Sequence, residues 1–242
     1  MNARSDLPRS ILLAVVAASA ALSQTNVITY HNDPQRTGWN SQEKTLTPAI
    51  VASSFGRLVT VSLDDQVDTQ PLFVANQTIS GQGVHSVVYV TTEGNMVYAI
   101  DAASGAILKH RKLGTPVPAP FGCFNNGPNI GINGTGTIDP VAGILYVLAY
   151  TDINGTTIPA YQLHALELAS LADRPGSPIT VKATFNSDGT VYTFDAALQR
   201  QRPAMLDAQG RGLCRIRKFL RRILTVRVRP AANPREPSAD RP

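Results

Sequence analysis

Two apolar runs joined by a tight polar turn constrain this chain more than any other feature. Ser86–Thr92 (SVVYVTT) and Met96–Ile100 (MVYAI) flank Glu93-Gly94-Asn95. Short runs rich in Val and Tyr, bounded by Gly and Asn, predict a β-hairpin. Ala106–His110 adds a further short strand after a second turn. A sheet of this kind is covered on its faces only if other strands pack against it, so the rest of the chain must supply them.

It does so in series. Phe55–Leu63 (FGRLVTVSL) alternates and is rich in β-branched residues, and Gln70–Val74 is short and apolar. Gly143–Tyr150 (GILYVLAY), Tyr161–Leu168 (YQLHALEL), Ile179–Phe185 and Val191–Phe194 continue the pattern. Asn32-Asp33-Pro34, Thr37-Gly38, Asp152–Gly155 and Asp188-Gly189 supply turns between them. No segment before Ala196 sustains a helical period. Charged residues make only 16% of the chain, while Gly and Pro sum to 18 + 17 = 35. Both values favour short strands and many turns. The expected class is all-β: a sandwich, a barrel or a propeller.

Internal repetition decides among these. Tyr89–Lys109 reads YVTTEGNMVYAIDAASGAILK: strand, turn, a strand ending Ala-Ile-Asp, then Ala-Ser-Gly and a third strand. Alternation lets Val88 and Val90, and Val97 and Ala99, face neighbouring sheets. Asp101 is placed to bond the backbone of the turn that follows it, and Gly105 to take the positive φ that such a turn needs. A second copy starts at Leu145-Tyr146-Val147 and reaches His164-Ala165-Leu166-Glu167-Leu168, with Glu167 where Asp101 stood. The two copies are offset by 146 − 89 = 57 positions. That exceeds the ~40–50 residues of a propeller blade, and an insertion at Thr151–Ala160 is the expected source of the excess.

At these residues the chain resembles the repeat of pyrroloquinoline-quinone-type β-propellers, the quinoprotein alcohol dehydrogenase-like superfamily. The matches are Tyr89, Val90, Gly94, Ala99, Ile100, Asp101, Ser104 and Gly105, with Tyr146 and Val147 opening the second copy. The family's terminal Trp, which docks one blade on the next, is replaced by Lys109 or Leu108. The opening NVITYHNDPQRTGWN and the stretch GINGTGTIDPVAGILYV are also similar to secreted bacterial propellers of this type. The resemblance covers residues 26–210. It implies a partial β-propeller of about three to four four-stranded blades, an unclosed ring with open edges and a tendency to aggregate.

The two ends of the chain read differently. Arg4 and Arg9 precede the apolar run Ile11–Leu22, and Ala21-Leu22-Ser23 offers a small-residue cleavage site. This is the pattern of a signal peptide spanning 1–23, implying a secreted or periplasmic product. The run is too short for a permanent membrane span, and an integral membrane protein is not expected. Residues 211–242 hold nine Arg and one Lys against Glu236 and Asp240, a net +8. The whole chain is +5, so residues 1–210 carry 5 − 8 = −3. The body therefore gives no electrostatic reason to bind nucleic acid.

The tail lacks the strand pattern, and its expected form is irregular or helical. A basic amphipathic helix over Leu213–Val228, binding nucleic acid or anionic lipid, is one reading. The other is a lost reading frame. Gly212–Arg221 can be encoded so that the frame one base later reads VYVAFGSSCD, a third blade start after LDAQGR. Cys123 and Cys214 lie 91 positions apart, and their pairing is left open.

Three functions compete for such a chain. One is an exported, non-catalytic binding or scaffold module, with a protein or polysaccharide partner on the propeller face. The second, implied by the resemblance, is a piece of a dehydrogenase that holds pyrroloquinoline quinone with Ca²⁺ through carboxylates and Asn. The family's adjacent Cys pair is absent, and the one Trp, Trp39, lies in the N-terminal polar segment. Asp64, Asp65, Asp101 and Asp139 are the available carboxylates, with Asp101 and Asp139 read as turn formers. The third is a binder acting through the basic tail. His31, His85, His110 and His164 show no ligand spacing, so neither a catalytic nor a metal set is assigned. Gly131–Gly136 (GINGTG) lacks the strand–loop–helix setting of a nucleotide loop and is rejected as one.

Overall fold

The computed structural model describes residues 25–119, 127–153, 155, 159–187, 189–207, 212–218 and 223–227. The expected signal segment and Cys123 lie outside them. Among the described residues there is one short helix, α1 (Pro48–Ser54), ahead of the sheets. Its N-cap is Thr47, whose hydroxyl accepts from the Ile50 amide, and Pro48 follows at the first helical position. Sequence reading missed it because seven residues are too few to show a period.

Two four-stranded antiparallel sheets carry the fold. Sheet 1 is a meander of β1 (Leu72–Ile79), β2 (Gly83–Thr91), β3 (Met96–Asp101) and β4 (Ile107–Lys112). Residues 113–136 then form a connection carrying the small pair β5 (Val117–Pro118) and β6 (Asn129–Ile130). Sheet 2 repeats the meander with β7 (Thr137–Asp139), β8 (Ile144–Asp152), β9 (Pro159–Glu167) and β10 (Ile179–Thr180). A small hairpin follows, β11 (Thr184–Ser187) with β12 (Thr190–Thr193).

The third sheet is built on β15 (Gly212–Lys218). One edge of β15 pairs with β13 (Gln199–Arg200) and β14 (Leu206–Asp207), the other with β16 (Ile223–Arg227). The described backbone of the tail is thus strand, which corrects the helical expectation for Leu213–Val228. Its hairpin β14–β15 follows the same plan as β7–β8.

The sheets stack front to back. Val87, Tyr89, Val97 and Ala99 share one face of sheet 1 and pack with Leu145, Val147, Ala149 and Leu166 from one face of sheet 2. The opposite face of sheet 2, with Ile144, Tyr146, Leu148 and Tyr161, packs on Met205 and Phe194 further along the chain. So the Tyr89 face of sheet 1 meets the Val147 face of sheet 2, and the Tyr146 face of sheet 2 turns to the next unit. Leu108, at the place of the family's Trp, is buried in this first interface. Residues 27 and 28 tie the innermost strands together. Val27 exchanges two backbone hydrogen bonds with Phe73 in β1, and the Ile28 carbonyl accepts from Ile138 in β7. This is the architecture of a partial all-β propeller.

Two expectations need correction. The insertion at Thr151–Ala160 lengthens the second hairpin: Tyr89 to its partner Ala99 spans 10 positions, Tyr146 to its partner Ala165 spans 19. It lies after Tyr146, however, and cannot account for the 57-residue offset. The connection 113–136 does. Phe55–Leu63 joins no sheet; Val61 and Leu63 instead pack on the cluster of Val90, Tyr98 and Ile100 in sheet 1.

Candidate functional site

The β2–β3 turn is the most unusual local feature. Hairpin turns usually lie at the surface, yet Thr92, Glu93 and Asn95 are each 0% exposed. Asn95 takes the left-handed conformation at φ 58°, which Asn tolerates well. Gly94 serves a different need. A Cβ there would lie 2.0 Å from Asp64 Oδ2, so glycine leaves the room that the Asp64 carboxylate occupies over the turn.

Three segments cover the turn, and each is held by side-chain hydrogen bonds. Asp64 Oδ1 accepts from the Thr92 hydroxyl at 2.9 Å and the Tyr98 hydroxyl at 3.0 Å. Asp65 Oδ2 accepts from Asn129 Nδ2 at 2.7 Å. The Glu93 amide donates to the Gln66 carbonyl, and Glu93 Oε1 accepts from Asn133 Nδ2. Asn95 Nδ2 donates to the Tyr150 carbonyl at 2.8 Å, crossing from sheet 1 to sheet 2. Asn95 Oδ1 is buried and meets no donor among the described residues. Gly131 passes so close that a Cβ would stand 2.2 Å from the Glu93 carbonyl. Gly134 and Gly136 are equally close to the Gln201 side chain and the Tyr146 carbonyl, so the glycines of Gly131–Gly136 serve close packing.

The carboxylates weighed from sequence are all in structural service. Asp101 Oδ1 accepts from the Ala103 and Ser104 amides and the Ser104 hydroxyl, and Gly105 follows at φ 74°, as the repeat predicts. The Ser104 hydroxyl first, then its amide and His85, hold the Asp101 carboxyl well below the usual carboxylate range. Asp139 Oδ1 accepts from the Val141 and Ala142 amides at 2.9 Å each. Among the described residues, no group of three His, Cys, Asp or Glu side chains is placed to share a metal ion. Ca²⁺ takes about 6–8 oxygen ligands, whereas Asp64 Oδ1, Asp65 Oδ2 and Glu93 Oε1 already accept from donors of the chain itself. Among the described residues, the set does not assemble a quinone–Ca²⁺ centre.

The repeat-motif residues are brought into register rather than into a site. Tyr89 and Tyr146 face Ala99 and Ala165; Val90 and Val147 face Tyr98 and His164. Burial pushes the Tyr89 phenol up, and its hydroxyl donates across the interface to the Leu168 carbonyl at 2.9 Å.

The four histidines stay apart. His85 bonds Asp101, His110 lies against Tyr98, and His31 sits in the exposed loop before Trp39. His164 is buried, which pushes its imidazole down, and its Nδ1 lies 2.9 Å from Asp173 Oδ1. Asp173 also pairs with Arg111 of sheet 1, a clasp between the two sheets that no sequence motif announced.

A second feature lies at the surface. In Tyr30–Trp39, three non-glycine residues adopt left-handed φ: His31 at 56°, Asn32 at 70° and Arg36 at 62°. Such concentrated strain persists where surrounding contacts over-determine it. Here Gln70 Oε1 accepts from the His31 amide, and Arg36 donates to the carbonyls of Tyr30 and Met205. Tyr30 and His31 stack at 4.0 Å, and Trp39 is 72% exposed.

No protein-family model and no curated protein matches the chain. Among solved structures, a quinohemoprotein alcohol dehydrogenase from Pseudomonas putida HK5 is 11% identical, covering 61% of this chain and 34% of that one, with a TM-score of 0.35. The chain spans about a third of that protein's length. A likeness at that score decides neither fold nor activity.

Proposed function

We propose that this chain is an exported, non-catalytic binding or scaffold module built from propeller-type blades. One observation carries the reading: Asp64, Asp65, Asp101 and Asp139, the carboxylates available for cofactor chemistry, all accept hydrogen bonds from the chain's own turns and side chains. Export rests on the charged start, apolar run and small-residue site of residues 1–23. The strained Tyr30–Trp39 loop is the surface assigned to a protein or polysaccharide partner, because it is rigidly wired beneath and aromatic above. No helix among the described residues is long and apolar enough to cross a membrane.

The deciding experiment adds pyrroloquinoline quinone and Ca²⁺ to the purified chain and follows quinone absorbance and dye-linked alcohol oxidation. Turnover above background overturns the proposal in favour of a dehydrogenase. Failure to bind quinone, with intact secondary structure, supports it.

A further inference from the structure

The loop after β9, residues 168–177, ties sheet 2 to sheet 1. The Leu168 carbonyl accepts from the Tyr89 hydroxyl, and the Ala169 carbonyl accepts from the Ser80 amide. Arg111 of β4 donates to the Leu171 carbonyl at 2.8 Å and pairs with Asp173. Leu168 and Leu171 are buried between the sheets. Leu171 holds φ 60°, a left-handed conformation that is costly for a bulky side chain. Such a segment stays in place only while its contacts hold it there.

His164 of β9 is joined to this loop through one nitrogen only. Nδ1 lies 2.9 Å from Asp173 Oδ1, which also accepts from the Ser177 hydroxyl at 2.6 Å. The other Asp173 oxygen faces Arg111. A carboxylate among three donors only accepts, so the imidazole proton stands on Nδ1. Nε2 is buried and meets no partner among the described residues. The charged groups facing the ring are Asp173 from the loop and Arg111 from β4. Val147 stands opposite on β8, and Glu167 and Arg174 pair with each other. A proton added at Nε2 therefore makes a buried N–H with no acceptor among the described residues, near a guanidinium. Water satisfies such a donor only if the cover moves.

We propose that His164 is the trigger of an acid-operated latch: a proton on Nε2 releases residues 168–177 from sheet 1 while both meanders keep their strand pairing. The loop is the part that gives way. It carries the strain at Leu171 and is tied by single hydrogen bonds, whereas β8 and β9 pair from Ile144 to Asp152 without a break. Burial pushes the His164 imidazole below its ordinary 6.5. The closed form is therefore complete above about 6.5, and it opens as pH falls through the lowered value. His85 works in the other direction, since its tie to Asp101 strengthens as pH falls. Opening uncovers Leu168, Leu171 and the Tyr89 hydroxyl, a face that only acid exposes. The latch does not depend on the binding role above.

The test is hydrogen exchange of the full chain, read by mass spectrometry from about pH 7.5 down to about pH 5 and corrected for the intrinsic rate at each pH. Residues 168–177 are expected to lose protection about tenfold per pH unit below the His164 value, the signature of one proton. Met96–Asp101 and Ile144–Asp152 are expected to stay protected. His164→Asn keeps a donor for Asp173 and removes the titrating nitrogen, so 168–177 should stay closed across the whole range. Should that variant misfold by circular dichroism, the ring nitrogen shifts of wild-type His164 decide by nuclear magnetic resonance. They are expected to show the Nδ1–H tautomer at neutral pH and a titration in step with the exchange of 168–177. Protection of 168–177 that ignores pH, an acid loss unchanged in folded His164→Asn, or a loss shared equally by all strands overturns the proposal. So does an Nε2–H tautomer, or a His164 titration at or above about 6.5.

Discussion

Tyr89 and Tyr146 hold the same register position in two separate sheets, one opposite Ala99 and the other opposite Ala165. Two positions before each tyrosine, the matching pair joins Val87 to Asp101 and Ile144 to Glu167. A repeat visible as a few letters is thus a repeat of cross-strand pairing. Each tyrosine also points toward the following unit, which makes the sheet interface directional.

That interface carries the stability of the body. Leu166 is fully buried between sheets 1 and 2. Leu166→Ala is expected to destabilise by about 2–5 kcal/mol, read as a lower midpoint in urea. Val191→Ala, at a side chain 67% exposed, should stay within ~0.5 kcal/mol.

Close packing over the buried turn gives a second prediction. A methyl at Gly131 meets the Glu93 carbonyl, a backbone atom that cannot swing away. Gly131→Ala should cost about 1–3 kcal/mol or more, or roughly 2–4 °C of melting temperature per kcal/mol for a chain of this size. Gly56→Ala, where a Cβ meets nothing within 4 Å, is the neutral control.

The first of these contacts was half legible and the second was not. Alternation and Glu93-Gly94-Asn95 marked the hairpin, and the turn roles of Asp101, Gly105 and Asp139 followed from local chemistry. The sequence pattern marks strand β1 only to Val74, because a register shift between Val74 and Gln77, with Asn76 at φ 53°, breaks the alternation there. Burial of Glu93 and Asn95 depends on residues 64–66 and 129–133, distant in sequence, so nothing in the turn itself announced it. The Arg111–Asp173–His164 clasp was invisible for the same reason.

The His85 tie makes stability depend on pH. Nδ1 lies 2.8 Å from Asp101 Oδ2 and Nε2 3.0 Å from the Gln82 carbonyl, both acceptors. Only the imidazolium donates to both, and the Asp101 hydrogen bond is the first cause raising His85 above its ordinary 6.5. A raised value means that the contribution is complete below about 6.5 and fades as pH rises through the folded value. Asp101, held below its ordinary 3.8, contributes fully above that and loses its contribution under acid. Buried His164 acts in the reverse sense: the fold gains as pH rises from its lowered value, and the gain is complete above about 6.5. His85→Gln isolates the first effect. The melting temperature advantage of wild type over this variant should be largest between these two values and shrink on the alkaline side.

Trp39 reports on the loop assigned to binding, since it is the chain's single tryptophan. At 72% exposure its emission should be red-shifted and readily quenched by iodide. A partner engaging Tyr30–Trp39 should shift that emission to the blue and protect it, and Arg36→Ala should abolish the shift by releasing the loop from Met205. Saturable binding with unchanged emission would move the partner to another surface.

Because the two sides of each sheet differ, a tandem duplication of the underlying coding unit lengthens the series without inventing any contact. The newcomer's rear matches a front that is already present, and its own front awaits the next. What such growth cannot supply is an end. Termination is a property of curvature and count, so proteins of this construction are expected to vary in blade number more readily than in the blade itself.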